Sequence, residues 1–327
     1  MIFNKKTVMT PVSVRAFEQA GEIVRNGGLV AFPTETVYGL GANALDDSAV
    51  ASIFEAKGRP QFNPLIVHIY DIAQIDAFAE MTPLGAKLAE RFWPAPLTLV
   101  LPRKKNSPVS YLVSAGLDSI AVRFPAHPAA RAFLKACDVP VAAPSANISG
   151  TVSPTTAQHV ADGLNGRIDM ILQAEPCRVG VESTVVAVDG DKPVLLRAGG
   201  VTVEELSAVA GDVLRPEKDE TLPRSPGQML SHYAPALPVR LNASEARGGE
   251  ALLGFGHAPD AVLNLSEKGD LREAAANLFA YLRKLDNNKK YTGIAVMPVP
   301  MNDLGLAIND RLKRAAYPKR AFPTAAI

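Results

Sequence analysis

Short apolar runs at residues 29–32, 65–69, 97–101, 119–124 and 139–143 alternate with stretches of helical period at 14–26, 50–56, 72–92 and 129–136. A chain that keeps switching between these two periods is committed to layered α/β architecture, with its polar chemistry carried on the connecting loops. The punctuation agrees. Ser13 is placed to cap the first helix, which buries Phe17, Ala20, Ile23 and Val24 on one face and stops at Gly27-Gly28. Residues 33–41 are aperiodic, with small hydroxyls and two glycines, and are expected to form a loop that lets backbone approach a ligand. Ser153-Pro154 reads as a cap followed by proline for a helix at 155–164. Strands are expected at 168–172, 183–188 and 194–197, and Thr202 with Glu205 forms a capping box before 206–210.

Between Leu214 and Pro238 the pattern changes: Pro216, Pro223, Pro226, Pro235 and Pro238 crowd a segment of little periodicity, expected to be a linker. Beyond it, strands at 239–241, 252–255, 262–265 and 293–296 alternate with helices at 271–284 and 304–314, the pattern of a small parallel Rossmann-like unit. No Gly-x-Gly-x-x-Gly follows any of these strands, so no dinucleotide is assigned to it. The expected organisation is an open, twisted mixed-sheet domain at 13–213, a linker at 214–237 and the second unit at 238–327.

Composition removes several function classes. With 34 Lys plus Arg against 33 Asp plus Glu, bulk attraction to nucleic acid or anionic membrane is not indicated, although a local basic cleft stays compatible. The two cysteines, Cys137 and Cys177, have no His or Cys at zinc spacing and read as buried small residues. Residues 1–10 lack a signal core and no run is long enough to span a bilayer, so a soluble, cytoplasmic protein is expected.

The chemistry concentrates at two places. Lys57 and Arg59 flank Gly58 where the helix at 50–56 stops, and Asn63-Pro64 then opens the strand that carries His68. Lys is a mobile point charge and Arg a rigid donor fork, both suited to a polyanion. Far downstream lies Ser145-Ala146-Asn147. Together the clusters suggest a nucleoside triphosphate site built without a Walker loop.

Phe32-Pro33-Thr34-Glu35-Thr36-Val37-Tyr38-Gly39-Leu40-Gly41, Lys57-Gly58-Arg59-Pro60 with Asn63-Pro64-Leu65-Ile66-Val67-His68, Ser145-Ala146-Asn147 and Ser225-Pro226-Gly227-Gln228-Met229-Leu230-Ser231-His232-Tyr233-Ala234-Pro235 together resemble the two-domain threonylcarbamoyl-AMP synthases, over essentially the whole chain. The resemblance implies a YrdC-like domain, a linker and a C-terminal Rossmann-like domain. It also implies a nucleotidyl transfer in which L-threonine, bicarbonate and ATP give threonylcarbamoyl-AMP, pyrophosphate and water. The product then serves N6-threonylcarbamoyl modification of tRNA adenosine through downstream transfer proteins.

Carried over residue by residue, Lys57 and Arg59 hold the ATP phosphates and act in catalysis, with Asn63, Ser119, Ser145, Asn147, Ser153 and Arg197 around the same nucleotide. Asn147 is implied as a phosphate or Mg²⁺-shell ligand. Otherwise no protein ligand to a metal is assigned, and Mg²⁺ rides on the ATP phosphates. Thr36, His68, Arg123, Ser183 and the backbone at Ala143 are implied as the threonine pocket. Two readings stay open at several positions. Arg123 is either the fork for the threonine carboxylate or a strand-end cation paired with a surface acid, and His68 is either a ligand contact or a satisfied core histidine. Tyr233 either covers the nucleotide as part of a mobile lid or anchors the linker. Glu35 and Glu182 lie nearest these motifs but have no spacing argument as a base. Direct tRNA contact and oligomeric state are not fixed by the sequence. The rival reading from another class is an RNA-binding module without ATP turnover, disfavoured by the balanced charge and the lack of interleaved aromatic and basic residues. A YrdC-like carbamoyl-transfer enzyme of hydrogenase maturation would carry zinc-type cysteine clusters, which this chain lacks.

Overall fold

The computed structural model describes residues 5–60, 63–215 and 232–317. Pro216, Pro223, Pro226 and the run from Ser225 to Ser231 lie outside the described residues, as do Gln61, Phe62 and residues 318–327. In chain order the first unit comprises β1 (Val8–Pro11), α1 (Val14–Arg25), β2 (Val30–Phe32), β3 (Gly39–Asn43), α2 (Asp47–Lys57), β4 (Ile66–His68), a 3-10 turn (Ile72–Ala77), α3 (Pro83–Phe92) and β5 (Leu97–Pro102). It continues through α4 (Tyr111–Ser114), β6 (Ser119–Arg123), α5 (Pro128–Cys137), β7 (Val141–Ala142), α6 (Ala157–Leu164), β8 (Met170–Gln173), β9 (Thr184–Ala187), β10 (Val194–Arg197) and α7 (Val203–Ala210). Then come β11 (Val239–Arg240), β12 (Glu250–Gly254), β13 (Leu263–Asn264), α8 (Leu271–Asp286), β14 (Gly293–Val296) and α9 (Gly305–Ala316).

Ten strands form one sheet in the order β1-β8-β2-β3-β7-β4-β6-β5-β9-β10. It is mixed: β4 pairs parallel with β6 and antiparallel with β7, and β5 pairs antiparallel with β6 and parallel with β9. One face packs against α1 and α5 through Ala20, Val24, Phe133 and Leu134, and the largest core cluster, including Ile53, Phe78, Leu88 and Leu206, covers the other. The expected open mixed sheet is therefore present, followed by a fully parallel four-stranded sheet in the order β11-β14-β12-β13.

Local signals account for most boundaries. Ser13 Oγ accepts the Ala16 amide and the α7 capping box is formed as read. Gly58 closes α2 in the left-handed region at φ 59°, where a Cβ would be strained. Three expectations are corrected. Residues 39–41 form the start of β3, antiparallel to β2, rather than loop. Residues 72–92 divide into the 3-10 turn and α3, because Thr82 caps a fresh helix with Pro83 at its first turn. Ser153 caps nothing: Thr156 accepts the His159 amide and starts α6, whereas the Ser153 hydroxyl donates to Glu182. β1, parallel to β8, begins the sheet ahead of residue 13 and was not expected.

The two units share a core. Val37, Val152, Val181 and Tyr233 belong to the same buried cluster as Leu278, Phe279 and Leu282 of α8. Each fully buried side chain of this kind contributes about 1.5–3 kcal/mol. Contact is closest at Gly180, at φ 75°, where a Cβ would lie 2.2 Å from the Ala275 carbonyl oxygen. Gly180→Ala is therefore expected to lower the unfolding free energy by more than about 1 kcal/mol, read from urea denaturation. An unchanged midpoint would mean that α8 does not seat against this loop.

Candidate active site

The sheet brings the ends of β2, β4, β6, β7, β9 and β10 around one narrow, partly open cavity of about 40 Å³, room for roughly one water. Arg59, His68, Arg123, Ser183, Arg197 and Tyr233 all line it, as do Ala143 and Ser145. Chain positions more than a hundred residues apart therefore converge.

Lys57 is 1% exposed. Its Nζ donates to the carbonyls of Ser145 (2.5 Å) and Asn147 (2.6 Å) and to Asn147 Oδ1 (3.4 Å). Burial first, then neighbouring Arg59, drive its pKa well below the usual lysine value. Arg59 donates to the carbonyls of Asn63 and Pro64 at 3.1–3.4 Å, and burial brings its guanidinium down to about 10. The Ser145 hydroxyl donates to Asn147 Oδ1 at 2.6 Å, and the Asn147 amide nitrogen donates to the carbonyls of Ile148 and Thr151. Asn147 thus works first as a brace: it fixes the loop whose carbonyls hold Lys57.

The opposite wall is also organised around cations. Arg197 Nε and Nη2 donate to the Ser183 carbonyl at 3.1 and 2.9 Å, and Nη2 reaches Ser183 Oγ at 3.1 Å, which itself pairs with Thr98 Oγ1 at 2.7 Å. Arg123 Nη2 meets Glu35 Oε1 at 2.6 Å and Thr36 Oγ1 at 2.9 Å. Arg123 does pair with an acid, but a buried one and not the surface acid of the alternative reading; Arg123 Nε is left buried without a partner among the described residues. His68 rests edge-on against Phe32 with Nδ1 3.1 Å from the Ile66 carbonyl. Burial, reinforced by Arg123, lowers its pKa to about 3, so the imidazole is neutral near pH 7.

Not every expected residue lines the cavity. Lys57, Asn63, Thr36, Asn147 and Ser153 sit one layer behind it; Lys57, Thr36 and Ser153 are bonded to the lining residues Ser145, Arg123 and Glu182. Ser119 opens β6 opposite Pro102, at the other end of the strand from Arg123, and lies outside the cavity. Tyr233 is 1% exposed, holds a left-handed φ of 59° and stacks on Phe279 at 5.5 Å, so in this conformation it anchors the linker end as well as covering the cavity. A bulky residue in that region is strained and persists only where its surroundings hold it.

Three groups shape the site to which the sequence reading gave no role: Glu182 and His232 were named without one, and Arg311 was not named. Glu182 lines the cavity between Ser153 Oγ (2.6 Å) and Arg311 Nε (2.9 Å). Burial opposes its ionisation, but Arg311, Arg197 and the Ser153 hydroxyl outweigh burial and hold the carboxyl below its usual range. Arg311 comes from α9 of the second unit and is wholly buried. His232, beside Tyr233, is kept neutral by burial and by Arg59, Lys57, Arg197 and Arg314. The family signature marked His232 as part of a motif, but no local signal marked Arg311.

The family model described as telomere recombination, covering the Sua5, YciO and YrdC proteins, matches residues 22–199, and that of the threonylcarbamoyl-AMP synthase C-terminal domain matches residues 201–317. Threonylcarbamoyl-AMP synthase of Bacillus subtilis is 43% identical over 91% of this chain and 92% of its own length. Among solved structures, Pyrococcus abyssi Sua5 complexed with L-threonine superimposes with a TM-score of 0.86 at 40% identity, over 95% of this chain and 96% of that one. E. coli YciO, with a TM-score of 0.53 at 23% identity over 60% of this chain and 96% of its own, shares the fold of the first unit. The matches to both units and the identity along nearly the whole chain make it a member of the threonylcarbamoyl-AMP synthase family.

Proposed function

We propose that this cavity joins L-threonine, bicarbonate and ATP into threonylcarbamoyl-AMP, with the nucleotide phosphates on the Lys57 and Arg59 side and the amino acid on the Arg123 side. One observation carries the assignment. Among the described residues, five buried cations, Lys57, Arg59, Arg123, Arg197 and Arg311, face only two buried carboxylates, Glu35 and Glu182. Such an excess is stabilised when an anion enters, and a triphosphate together with an amino-acid carboxylate supplies that charge.

The threonine amine combines with bicarbonate to give a carbamate and water. A carbamate oxygen then attacks the α-phosphorus, the bond to the bridging oxygen breaks, and pyrophosphate leaves with that electron pair. Lys57 and Arg59 offset the charge that gathers on the phosphates. The Arg123 Nε donor is satisfied by the threonine carboxylate, while Glu35 and Thr36 fix the guanidinium plane. Neutral His68 and the Ser183 hydroxyl bound the amino-acid pocket. In this reading no protein base is invoked: positioning, charge compensation and exclusion of water supply the rate.

Magnesium belongs with the triphosphate. The donors around the cavity are mostly ammonium and guanidinium groups, and Asn147 Oδ1 already accepts from Ser145 and Lys57. These groups suit phosphate oxygens, which would themselves hold the ion. A space of about 40 Å³ is far smaller than a nucleoside triphosphate, so the segment carrying Tyr233 must shift as substrates enter. The adenylate product serves the proteins that transfer the threonylcarbamoyl group to tRNA. Among the described residues no helix is long and apolar enough to cross a membrane.

Two outcomes are expected. Pyrophosphate release by the purified chain requires threonine and bicarbonate, and falls by about 10²–10³-fold in Lys57→Ala or Arg59→Ala; release that survives both changes would overturn the phosphate assignment. ATP binding also takes up protons. Lys57 has a depressed pKa in the free protein, and a neighbouring polyanion raises it, so uptake grows as the pH rises through the free-protein value. Calorimetry in buffers of different ionisation enthalpy, well above the phosphate second pKa of about 6, should show uptake that Lys57→Met abolishes. Equal uptake by both proteins would remove Lys57 from the site.

A further inference from the structure

We infer that Arg311, on α9 of the second unit, is a positioning residue for the synthase site: it holds Glu182 and the Tyr233 ring in register, so that docking of the C-terminal unit completes the cavity. The inference rests on the reading of the cavity as the threonylcarbamoyl-AMP site.

Arg311 is fully buried and reaches across the interface in three directions. Its Nε donates to Glu182 Oε2 at 2.9 Å, its Nη1 donates to the Ala198 carbonyl at 2.5 Å, and its guanidinium lies 5.5 Å from the centre of the Tyr233 ring. These contacts fall on three separate parts of the cavity wall. Ala198 follows Arg197, Glu182 precedes Ser183, and Tyr233 carries the end of the linker. A second link runs alongside, because the His232 amide donates to the Arg314 carbonyl on the same helix. One planar cation therefore ties the acid, the ring and the strand end together, a task suited to the fixed fork of arginine.

The charges around Glu182 specify what removing Arg311 does. Facing the carboxylate are Arg311 with neighbouring Asp310 on α9, Arg197 on β10, the Ser153 hydroxyl, and Tyr233 from the linker end. Burial favours the protonated acid, and Arg311 is the largest opposing influence. Without it the carboxyl pKa rises, so a site that needs the ionised form loses activity from the acid side at a higher pH. Protonated Glu182 no longer balances Arg197, which orders Ser183 through both its carbonyl and its hydroxyl.

The test is the pH profile of threonine-dependent pyrophosphate release in the full chain. Arg311→Met is expected to lose at least about tenfold near pH 7 and to shift its acid limb upward by a pH unit or more, regaining rate at alkaline pH. Glu182→Gln should remove that limb, and Arg311→Met combined with Glu182→Gln should lose less than the product of the two single losses, because the two changes share the Arg311–Glu182 interaction while the contacts of Arg311 to Tyr233 and Ala198 are lost only with Arg311. A merely structural Arg311 would lower the folded fraction without moving the limb. An unshifted profile, or effects that multiply in the double variant, overturns the inference. If Arg311→Met does not fold by circular dichroism, Arg311→Lys carries the test: it keeps the cation beside Glu182, so its limb should stay at the wild-type pH while the rate falls. A displaced limb in Arg311→Lys overturns the inference. Failure of the functional reading is distinguishable, since the wild-type chain would then show no threonine-dependent release at all.

Discussion

The concentration of buried positive charge around one narrow cavity is the constraint on which the rest of this structure depends. Removing an ammonium or guanidinium from water costs several kcal/mol even after relaxation, and here five such groups are buried. The fold answers with fixed dipoles more than with counter-charges. Lys57 is held by two carbonyls and an amide oxygen, Arg59 by two carbonyls, and Arg197 by a carbonyl and a hydroxyl. Dipoles satisfy the hydrogen bonds without neutralising the charge, so the site stays attractive to an anion. A full set of carboxylates would have quenched it.

That solution dictates local architecture. The carbonyls that hold Lys57 must point inward from the loop after β7, and Asn147 keeps them there by bonding across the loop to Ile148 and Thr151. The left-handed Gly58 lets the chain turn so that Lys57 and Arg59 serve the same site from either side of the helix end. The two acids are placed where they stiffen instead of neutralise. Glu35 accepts both Arg123 and the Ala126 amide, and Glu182 is shared by Ser153 and Arg311. The second unit belongs to the same scheme, since its α8 closes the apolar side of the wall while α9 supplies the fifth cation.

Much of this was legible from the chain because the signals are local. Caps, glycine stops and apolar runs marked most strands and helices, the Lys57 and Ser145 neighbourhoods followed from motif order, and Arg197 from the family resemblance alone. Failures came where one local signal competed with another or with tertiary context. Ser153-Pro154 imitates a helix start, yet Thr156 a few residues on accepts the capping amide, and tertiary packing turns Ser153 toward Glu182. Gly39-Leu40-Gly41 has weak strand propensity, and only pairing with β2 makes it a strand. Arg123 was visible as a strand-end cation, but its partner Glu35 lies 88 residues away. Arg311 was least visible. In the sequence it belongs to the polar pattern of an amphipathic helix that also carries Lys313 and Arg314 near its end, where cations are common for reasons of the helix dipole.

The narrow cavity links these charges to the proposed chemistry. In water, charges a few ångströms apart are screened, whereas in a site that excludes water the same groups act several-fold more strongly. Tyr233 and His232 sit at the point where exclusion is decided, pressed between the cations and α8 with Tyr233 in a strained left-handed conformation. A strained cover is easier to displace than a relaxed one, because the strain released on opening offsets part of the packing energy that the cover gives up. On the proposed function such a cover would also protect the product: a mixed carbamic–phosphoric anhydride hydrolyses readily, and the groups that polarise the phosphorus for the carbamate would polarise it equally for water. On the proposed function, strong electrostatics and a cover that can open are one requirement, and Tyr233, set among Arg59, Arg197 and Arg311, is placed to supply the cover.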